Sequence, residues 1–285
     1  MISVDQVTLV IPPLGRIQRQ RTLGRLPPEW HKRTWLAVPE REAPFHAWPQ
    51  LFIHPNIEGI AATRQWIFDT IKTDYVFCFD DDCDFNIRRQ YNPPRMRGPA
   101  TPDEVGAMLI RLVSWLERGI VLVGVSARQN NDKVNECCSA YPQGRLYRVW
   151  GYRRAAILEM DGFRFDAVHS VDDFHLALSV LRQGYPIRIT YHWAHDDRRG
   201  SGAPGGCALN RTPATQAADA HRLAALHPGY VEPVERSSHA TWKEWGTRMD
   251  MQIQWHRAFM EGHRQYPGRT LAVDCDCGVS GPRLL

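Results

Sequence analysis

One stretch of the chain joins a continuous apolar segment directly to a cluster of acids. The apolar segment spans 75–79, and the five positions that follow it hold four aspartates: Asp80, Asp81, Asp82 and Asp84. An apolar run of this length predicts a strand that is buried on both faces of a sheet. In an open α/β sheet, ligands bind at the carboxyl ends of such strands. The stretch therefore predicts an α/β fold with a ligand site directly after this strand.

The chemistry of the acid cluster narrows the kind of ligand. Carboxylates this close together repel one another, and some stay protonated unless a cation joins them. Mg²⁺ and Mn²⁺ prefer oxygen ligands and commonly share them with phosphates. We therefore expect Asp80, Asp81 and Asp82 to build a site for a divalent metal and a diphosphate, with Asp84 as a weaker candidate. The alternative is an acidic surface turn, which does not usually follow so apolar a strand.

Predicted strands and helices alternate along the first part of the chain. Strands are expected at 7–11, 34–38 and 51–53, and an amphipathic helix over 59–72 leads into the acidic strand. This alternation is typical of a mostly parallel central sheet flanked by helices. Further elements are predicted over the ranges 103–117 (helix, capped by Asp103), 120–125 (strand), 149–152 (strand), 187–191 (strand) and 212–226 (helix). We predict a catalytic domain over 1–211 and a C-terminal extension over 212–285 that packs on the same domain.

A second acidic pair opens a well-marked helix over 170–184. Ser170 is the expected cap, Asp172 and Asp173 occupy the first turn, and Gly184 ends the helix. First-turn acids are favoured by the helix dipole in any case, so a purely structural role is the alternative for this pair.

Composition limits the partners and the compartment. The formal net charge of +4 and the pI of about 8.7 permit an anionic partner without requiring one. No apolar run approaches the roughly 18 residues of a membrane span, and the first residues lack the pattern of a signal peptide. We therefore expect a cytoplasmic protein with no membrane contact.

Four motifs in this order resemble the GT-A class of nucleotide-sugar glycosyltransferases, over about 7–200. The first strand ends in Ile-Pro-x-x-Gly-Arg at 11–16, and the helix before the acidic strand carries Gly59-x-x-x-x-Arg64. An Asp-x-Asp motif and the acidic pair at 172–173 complete the set. That class usually shows Glu-Asp at the last position, and the departure leaves open which aspartate is the base. The segments 14–27 and 248–255 further resemble phage-borne glycosyltransferases associated with hypermodified DNA.

The resemblance implies a role for each candidate residue. The donor would be a nucleotide-diphosphate sugar, with a UDP-sugar expected, bound with Mn²⁺ or Mg²⁺. Arg16 and Arg64 would contact the nucleotide, Asp80 would lie near its ribose, and Asp82 and Asp80 would hold the metal, with Asp81 facing either way. A histidine after the catalytic helix would complete the metal site, His195 first and His192 in reserve. Asp173 or Asp172 would be the general base, which implies inversion at the anomeric carbon.

The resemblance also suggests a 5-hydroxymethyl pyrimidine in phage DNA as the acceptor, within the host cytoplasm. An arginine-rich loop, Arg88–Arg97, and a tail rich in tryptophan and arginine after Ser237 would then contact the nucleic acid. Three alternatives stay open: a polysaccharide or glycan acceptor, a metal-dependent nucleotidyltransferase or nuclease, and a non-catalytic nucleic-acid-binding module. The last would leave the acidic run unexplained, because carboxylates repel phosphates.

Overall fold

The computed structural model of the protein describes residues 6–17, 20–88, 96–128, 140–141, 143–196, 211–237 and 246–269. The strands in these ranges are β1 (Val7–Ile11), β2 (Thr34–Pro39), β3 (Leu51–His54), β4 (Tyr75–Phe79), β5 (Asp84–Arg88), β6 (Met96–Pro99), β7 (Leu122–Ala127), β8 (Ala140–Tyr141), β9 (Val149–Arg153), β10 (Ile187–Asp196), β11 (Val231–Ser237) and β12 (Thr247–Ile253). The helices are α1 (Pro28–His31), α2 (Ile60–Thr70), α3 (Pro102–Glu117), α4 (Arg154–Leu158), α5 (Asp172–Arg182), α6 (Pro213–Leu226) and α7 (Trp255–Gln265). None of these helices is long and apolar enough to cross a lipid bilayer.

The first ten strands form a single sheet in the order β3-β2-β1-β4-β9-β7-β10-β5-β6, with β8 paired to β10. The four strands β3, β2, β1 and β4 run parallel to one another, and β7 runs parallel to β10. The strands β9 and β5 run antiparallel to their neighbours. Most strands therefore share one direction, and the predicted α/β sheet flanked by helices is confirmed.

The acidic strand β4 lies inside the sheet and is buried on both faces, as its sequence predicts. Val76 and Cys78 point into the apolar layer that α2 and α5 cover, while Phe77 and Phe79 point into the layer that α3 covers. This alternation is the side-chain period of a strand. Because no polar residue interrupts either face, the first polar group that the strand can offer to solvent is Asp80, at its carboxyl end.

The helix caps differ in part from the expected ones. The cap of α3 is Thr101, not Asp103: its hydroxyl accepts a hydrogen bond from the Glu104 amide, and the Glu104 side chain accepts one from the Thr101 amide. Thr101 precedes a proline at the first helical position, which favours the cap one residue earlier. Ser170 does not cap α5, because its hydroxyl donates instead to a carboxylate of α6.

Arg88 was expected in a DNA-contacting loop, and this prediction is wrong. It is the last residue of β5 and only 1% exposed. The pairing of β10 with β7 shifts register between Thr190 and Ala194, and Arg88 donates to the carbonyls of Tyr191 at 3.0 Å and Trp193 at 3.3 Å. A bulge leaves such carbonyls without ladder partners, and a buried guanidinium satisfies them. Arg97, at the other end of the predicted loop, lies in β6 and pairs with Glu104. Residues 89–95 between the two arginines lie outside the described residues, as do Trp242 and Trp245 of the tail.

The C-terminal elements pack against the helix that carries the second acidic pair. β11 and β12 form an antiparallel hairpin, and α7 lies along α5. The approach is close at Gly262, where a Cβ atom would lie 2.0 Å from the Leu181 carbonyl oxygen. A glycine is therefore required for this helix contact. The predicted domain boundary at residue 211 stays a prediction.

Candidate functional site

A cavity of about 470 Å³ opens at the carboxyl ends of β1, β2 and β4. Parallel strands deliver their following loops to one edge of a sheet, which is why these distant segments meet there. The starts of α2 and α5 close the sides, and residues of α6 and β12 add a further wall. The described lining carries the following arginines: Arg16, Arg64, Arg145, Arg148, Arg211 and Arg248. Its aspartates are Asp80, Asp81, Asp82, Asp173 and Asp250.

The backbone of the acidic turn is held by Thr22, which is fully buried. The Thr22 amide donates to the Asp81 carbonyl at 3.0 Å, and its hydroxyl donates to the Asp80 carbonyl. The same hydroxyl accepts a hydrogen bond from the Cys83 amide at 2.9 Å. Three backbone groups of the turn are thus satisfied by one side chain and its amide, so the carboxylates are held in fixed directions.

Arg16 follows β1 and pairs with two of the acids. Its Nη1 atom lies 2.6 Å from Asp81 Oδ1 and 2.8 Å from Asp82 Oδ2. The Asp81 side chain is 6% exposed, whereas that of Asp82 is 28% exposed. Arg16 therefore bridges a mostly buried acid and a more exposed one, both of which line the cavity.

Arg64 of α2 joins the two acidic motifs. Its Nη1 atom lies 2.8 Å from Asp172 Oδ2, and its Nη2 atom lies 3.0 Å from Asp80 Oδ1. The Asp172 side chain is 1% exposed and the Arg64 side chain 7% exposed, so this ion pair is almost dry. The guanidinium carbon also lies 5.1 Å from the centre of the Trp150 ring.

Burial and neighbouring charges raise the pKa values of the groups in this cluster. Burial raises the pKa of Asp81 to about 7, against the opposing charge of Arg16. Burial also raises the pKa of Asp80 and of Asp172, with Arg64 opposing both shifts. Burial alone would lower the pKa of Arg64, but the charges of Asp172 and Asp80 outweigh it and raise the value. The cluster therefore favours any cation that lowers this repulsion.

The two aspartates that open α5 lie in different surroundings. Asp172 lies under the cavity and is not part of its lining, whereas Asp173 lines it. Asp173 Oδ2 accepts a hydrogen bond from Arg145 Nε at 3.0 Å, and Oδ1 accepts one from the Phe174 amide at 2.9 Å. The Arg145 guanidinium carbon lies 4.3 Å from the centre of the Tyr147 ring and 4.1 Å from that of the Phe174 ring. Of the pair, only Asp173 is in reach of a molecule in the cavity.

The loop that enters α5 is fastened by Asp219 of α6. This carboxylate is 2% exposed and accepts hydrogen bonds from the His169 amide at 2.8 Å, the Ser170 amide at 3.0 Å and the Ser170 hydroxyl at 2.6 Å. His169 and Ser170 line the cavity. An element of the C-terminal region therefore fixes the direction from which the chain reaches Asp173.

The remaining predicted residues lie away from the cavity lining. Asp84 begins β5 and pairs with Arg25 at 2.8 Å. His195 lies within β10, which extends beyond the predicted end of the strand, and is fully buried. Its ring centre lies 4.9 Å from that of Tyr147, which lines the cavity, whereas His195 is not part of the lining. Across the described ranges, no three His, Cys, Asp or Glu side chains are grouped so as to hold a metal ion by themselves.

Three residues of the site have no local signal that identifies them. Thr22, Arg145 and Asp219 contact groups that lie 58, 28 and 50 positions away in the sequence. A buried threonine after an arginine-rich turn and an aspartate inside an amphipathic helix are both ordinary patterns. Only the folded arrangement reveals their role.

Comparison with known proteins identifies a family. The model of the family described as TET-Associated Glycosyltransferase matches residues 7–206. A search of curated proteins found no match. Similar solved structures include glucosyl-3-phosphoglycerate synthase from Mycobacterium tuberculosis in complex with Mg²⁺ and uridine diphosphate (13% identity, 87% of each chain covered, TM-score 0.48). They also include the mannosyltransferase PcManGT from Pyrobaculum calidifontis in complex with GDP-Man and Mn²⁺ (15% identity, 84% of this chain and 67% of that chain covered, TM-score 0.47).

Proposed function

Because the chain belongs to the family of TET-associated glycosyltransferases, we propose that it moves a sugar from a UDP-sugar to a 5-hydroxymethyl pyrimidine in DNA, with metal dependence and inversion. The observation that carries the proposal is the convergence of both acidic motifs and their arginines on one cavity. Glycosyl transfer needs a cation near the leaving diphosphate, a carboxylate near the acceptor hydroxyl, and a site that excludes water. The acceptor follows from the resemblance of 14–27 and 248–255 to phage enzymes of hypermodified DNA.

The charges of the lining support a donor that arrives together with a metal. Six arginines face five aspartates there, so the cavity is close to neutral before a diphosphate enters. A diphosphate adds negative charge beside carboxylates, and a divalent cation offsets it. In the proposed arrangement Arg16 and Arg64 contact the nucleotide, Asp80 contacts its ribose, and Asp81 orients Arg16.

The residues at the strand end fit Mn²⁺ or Mg²⁺. The side chains of Asp80 and Asp82 are 33% and 28% exposed. They lie beside a third carboxylate, Asp81, whose Oδ2 atom has no hydrogen-bond partner among the described residues. We propose that Asp82 and Asp80 would hold the metal, which would supply Lewis-acid stabilisation of the leaving diphosphate. His195 stays a prediction: neither ring nitrogen has a partner among the described residues, which fits a ligand, but His195 is not part of the cavity lining.

Asp173 is the proposed general base. It lines the cavity, whereas Asp172 is buried under Arg64 and serves to hold that arginine. The hydroxyl hydrogen of the acceptor passes to Asp173, and the hydroxyl oxygen forms a bond to the anomeric carbon. The bond from that carbon to the diphosphate oxygen breaks, and its electron pair leaves on the nucleoside diphosphate. Attack from the face opposite the leaving group inverts the anomeric configuration.

The test uses the full chain, Mn²⁺, a UDP-sugar and an oligonucleotide that carries one 5-hydroxymethyl pyrimidine. Mass spectrometry reports the added sugar, and chromatography separates nucleoside diphosphate from pyrophosphate, which the nucleotidyltransferase alternative would release. We expect Asp173→Asn to lose transfer by roughly 10²-fold or more while it keeps donor binding. The matched control is Asp166→Asn, an exposed carboxylate paired with Arg164 outside the cavity.

Two results would contradict the proposal. Normal transfer by Asp173→Asn removes this residue as the base. Transfer to glycans but never to the modified oligonucleotide removes DNA as the acceptor and leaves the glycosyltransferase chemistry in place.

A further inference from the structure

Arg145 lines the cavity directly beside the proposed base. Its guanidinium is a flat group in contact with two aromatic rings, Tyr147 at 4.3 Å and Phe174 at 4.1 Å from the guanidinium carbon. All three residues line the cavity, and Arg145 is 43% exposed, so it can leave without crossing the core. The same guanidinium donates to Asp173 at 3.0 Å. A base that already accepts this charged hydrogen bond meets a competitor for the acceptor's hydroxyl hydrogen.

Each of the two rings also packs against a second ring. Phe174 stacks on Trp255 of α7, with ring centres 5.9 Å apart and planes inclined by 18°. Tyr147 packs edge-on against His195, with ring centres 4.9 Å apart. Each ring therefore has a second ring partner that does not depend on the guanidinium. Phe174 also follows Asp173 in the chain, so a group stacked on it lies beside the proposed base.

We propose that the volume filled by the Arg145 guanidinium is the subsite for the acceptor base, an inference that rests on the proposed function. A pyrimidine extruded from the DNA stacks on Tyr147 and Phe174 in place of the guanidinium, and its arrival releases Asp173 from the ion pair. Extrusion is required because a base inside a duplex cannot reach an enclosed site. A flat cation and a flat base use the same aromatic faces, the first through cation–π attraction and the second through stacking. Acceptor binding and exposure of the catalytic carboxylate are then one event.

The experiment measures binding of an oligonucleotide whose single test position holds a fluorescent pyrimidine analogue that is quenched by stacking. Binding is measured at high salt, which screens phosphate contacts, and donor binding is followed by thermal shift with UDP-sugar and Mn²⁺. We expect Phe174→Leu to weaken oligonucleotide binding roughly tenfold or more and to reduce the quenching, with donor binding unchanged. We expect Arg145→Met to bind the oligonucleotide at least as tightly as the unaltered protein, because the competitor for the rings is gone.

Matched controls are Phe45→Leu and Arg118→Met, which change exposed side chains outside the cavity. Thermal unfolding of each variant separates a folding defect from a lost subsite. The inference is overturned if Phe174→Leu binds and quenches like Phe45→Leu, or if Arg145→Met loses affinity that Arg118→Met keeps. Quenching that depends on Phe174 without sugar transfer would support the subsite and refute the DNA-transfer function. Sugar transfer that is unchanged in Phe174→Leu would support the DNA-transfer function and refute the subsite.

Discussion

Replacing Arg64 by methionine tests how the two acidic motifs are joined. Arg64 is the only described guanidinium within ion-pair distance of the buried Asp172, and the variant leaves that carboxylate in a dry site. Removal of one partner from a buried ion pair costs about 3–5 kcal/mol, because the other charge is stranded. For a chain of this size we expect the melting temperature to fall by roughly 10 °C. The exposed Arg118→Met is the matched control.

The loss should depend on pH in a direction that the structure fixes. Burial already raises the pKa of Asp172, and Arg64 opposes that shift. Without Arg64 the pKa of Asp172 in the folded state rises further above its unfolded-state value of about 4. The folded variant is therefore stabilised when Asp172 is protonated, and this stabilisation is lost as the pH rises through the folded-state pKa. We therefore expect urea unfolding to show a larger deficit at about pH 8 than at about pH 5.

A double variant isolates the pair. Arg64→Met combined with Asp172→Asn carries no stranded charge at position 172, so its deficit should be smaller and nearly independent of pH. The reasoning is refuted if Arg64→Met loses less than about 1 kcal/mol, the range of an exposed pair, with the same deficit at both pH values.

Three further predictions concern other parts of the site. Asp219→Ala leaves the His169 and Ser170 amides without partners, so we expect a loss of roughly 2–4 kcal/mol in urea unfolding and slower transfer with donor binding kept. Burial lowers the pKa of His175 to about 4 and of His227 to about 3. The free energy of unfolding should therefore fall as the pH drops from about 6.5 through these values. A variant with glutamine at both positions should show a smaller fall in acid titrations. Arg16→Met should bind Mn²⁺ more tightly in the absence of nucleotide, because Asp81 and Asp82 lose a competing cation. The same variant should bind UDP less tightly, and calorimetry measures both affinities.

The part of the fold that the sequence predicts is the part that local pattern determines. A strand that is buried on both faces must be apolar at every position, so residues 75–79 alone predict β4. The change to acidic residues at Asp80 predicts where the strand ends. Helix α2 shows its apolar spacing in the same way. Since the carboxyl ends of parallel strands meet at one edge, the meeting of Arg16, Arg64 and the acids could also be expected from sequence.

The part that could not be predicted depends on partners distant in the chain. Arg88 looks like a solvated charge beside other arginines, and only the register shift in β10 creates the carbonyls that bury it. Ser170 has the ideal position for a cap, yet Asp219, 49 residues later, takes its hydroxyl. The contact between the rings of His195 and Tyr147, 48 positions apart in the chain, likewise has no local signal, and the role of His195 as a metal ligand stays a prediction. For Ser170 the tertiary contact outweighs a capping preference worth about 1 kcal/mol.

The ion pairs of the cavity have a common consequence for ligand binding. Arg16 holds Asp81 and Asp82, Arg64 holds Asp80, and Arg145 holds Asp173, so each proposed functional carboxylate already has a guanidinium partner. A metal that joins the strand-end acids, and a base that displaces Arg145, would each release an arginine toward an incoming anion. The buried carboxylates and arginines then change ion-pair partners and do not lose further contact with water. The desolvation cost of ligand binding in this polar cavity is therefore low. On the proposed function, we therefore expect the site to bind an anionic ligand together with a cation more tightly than either one alone.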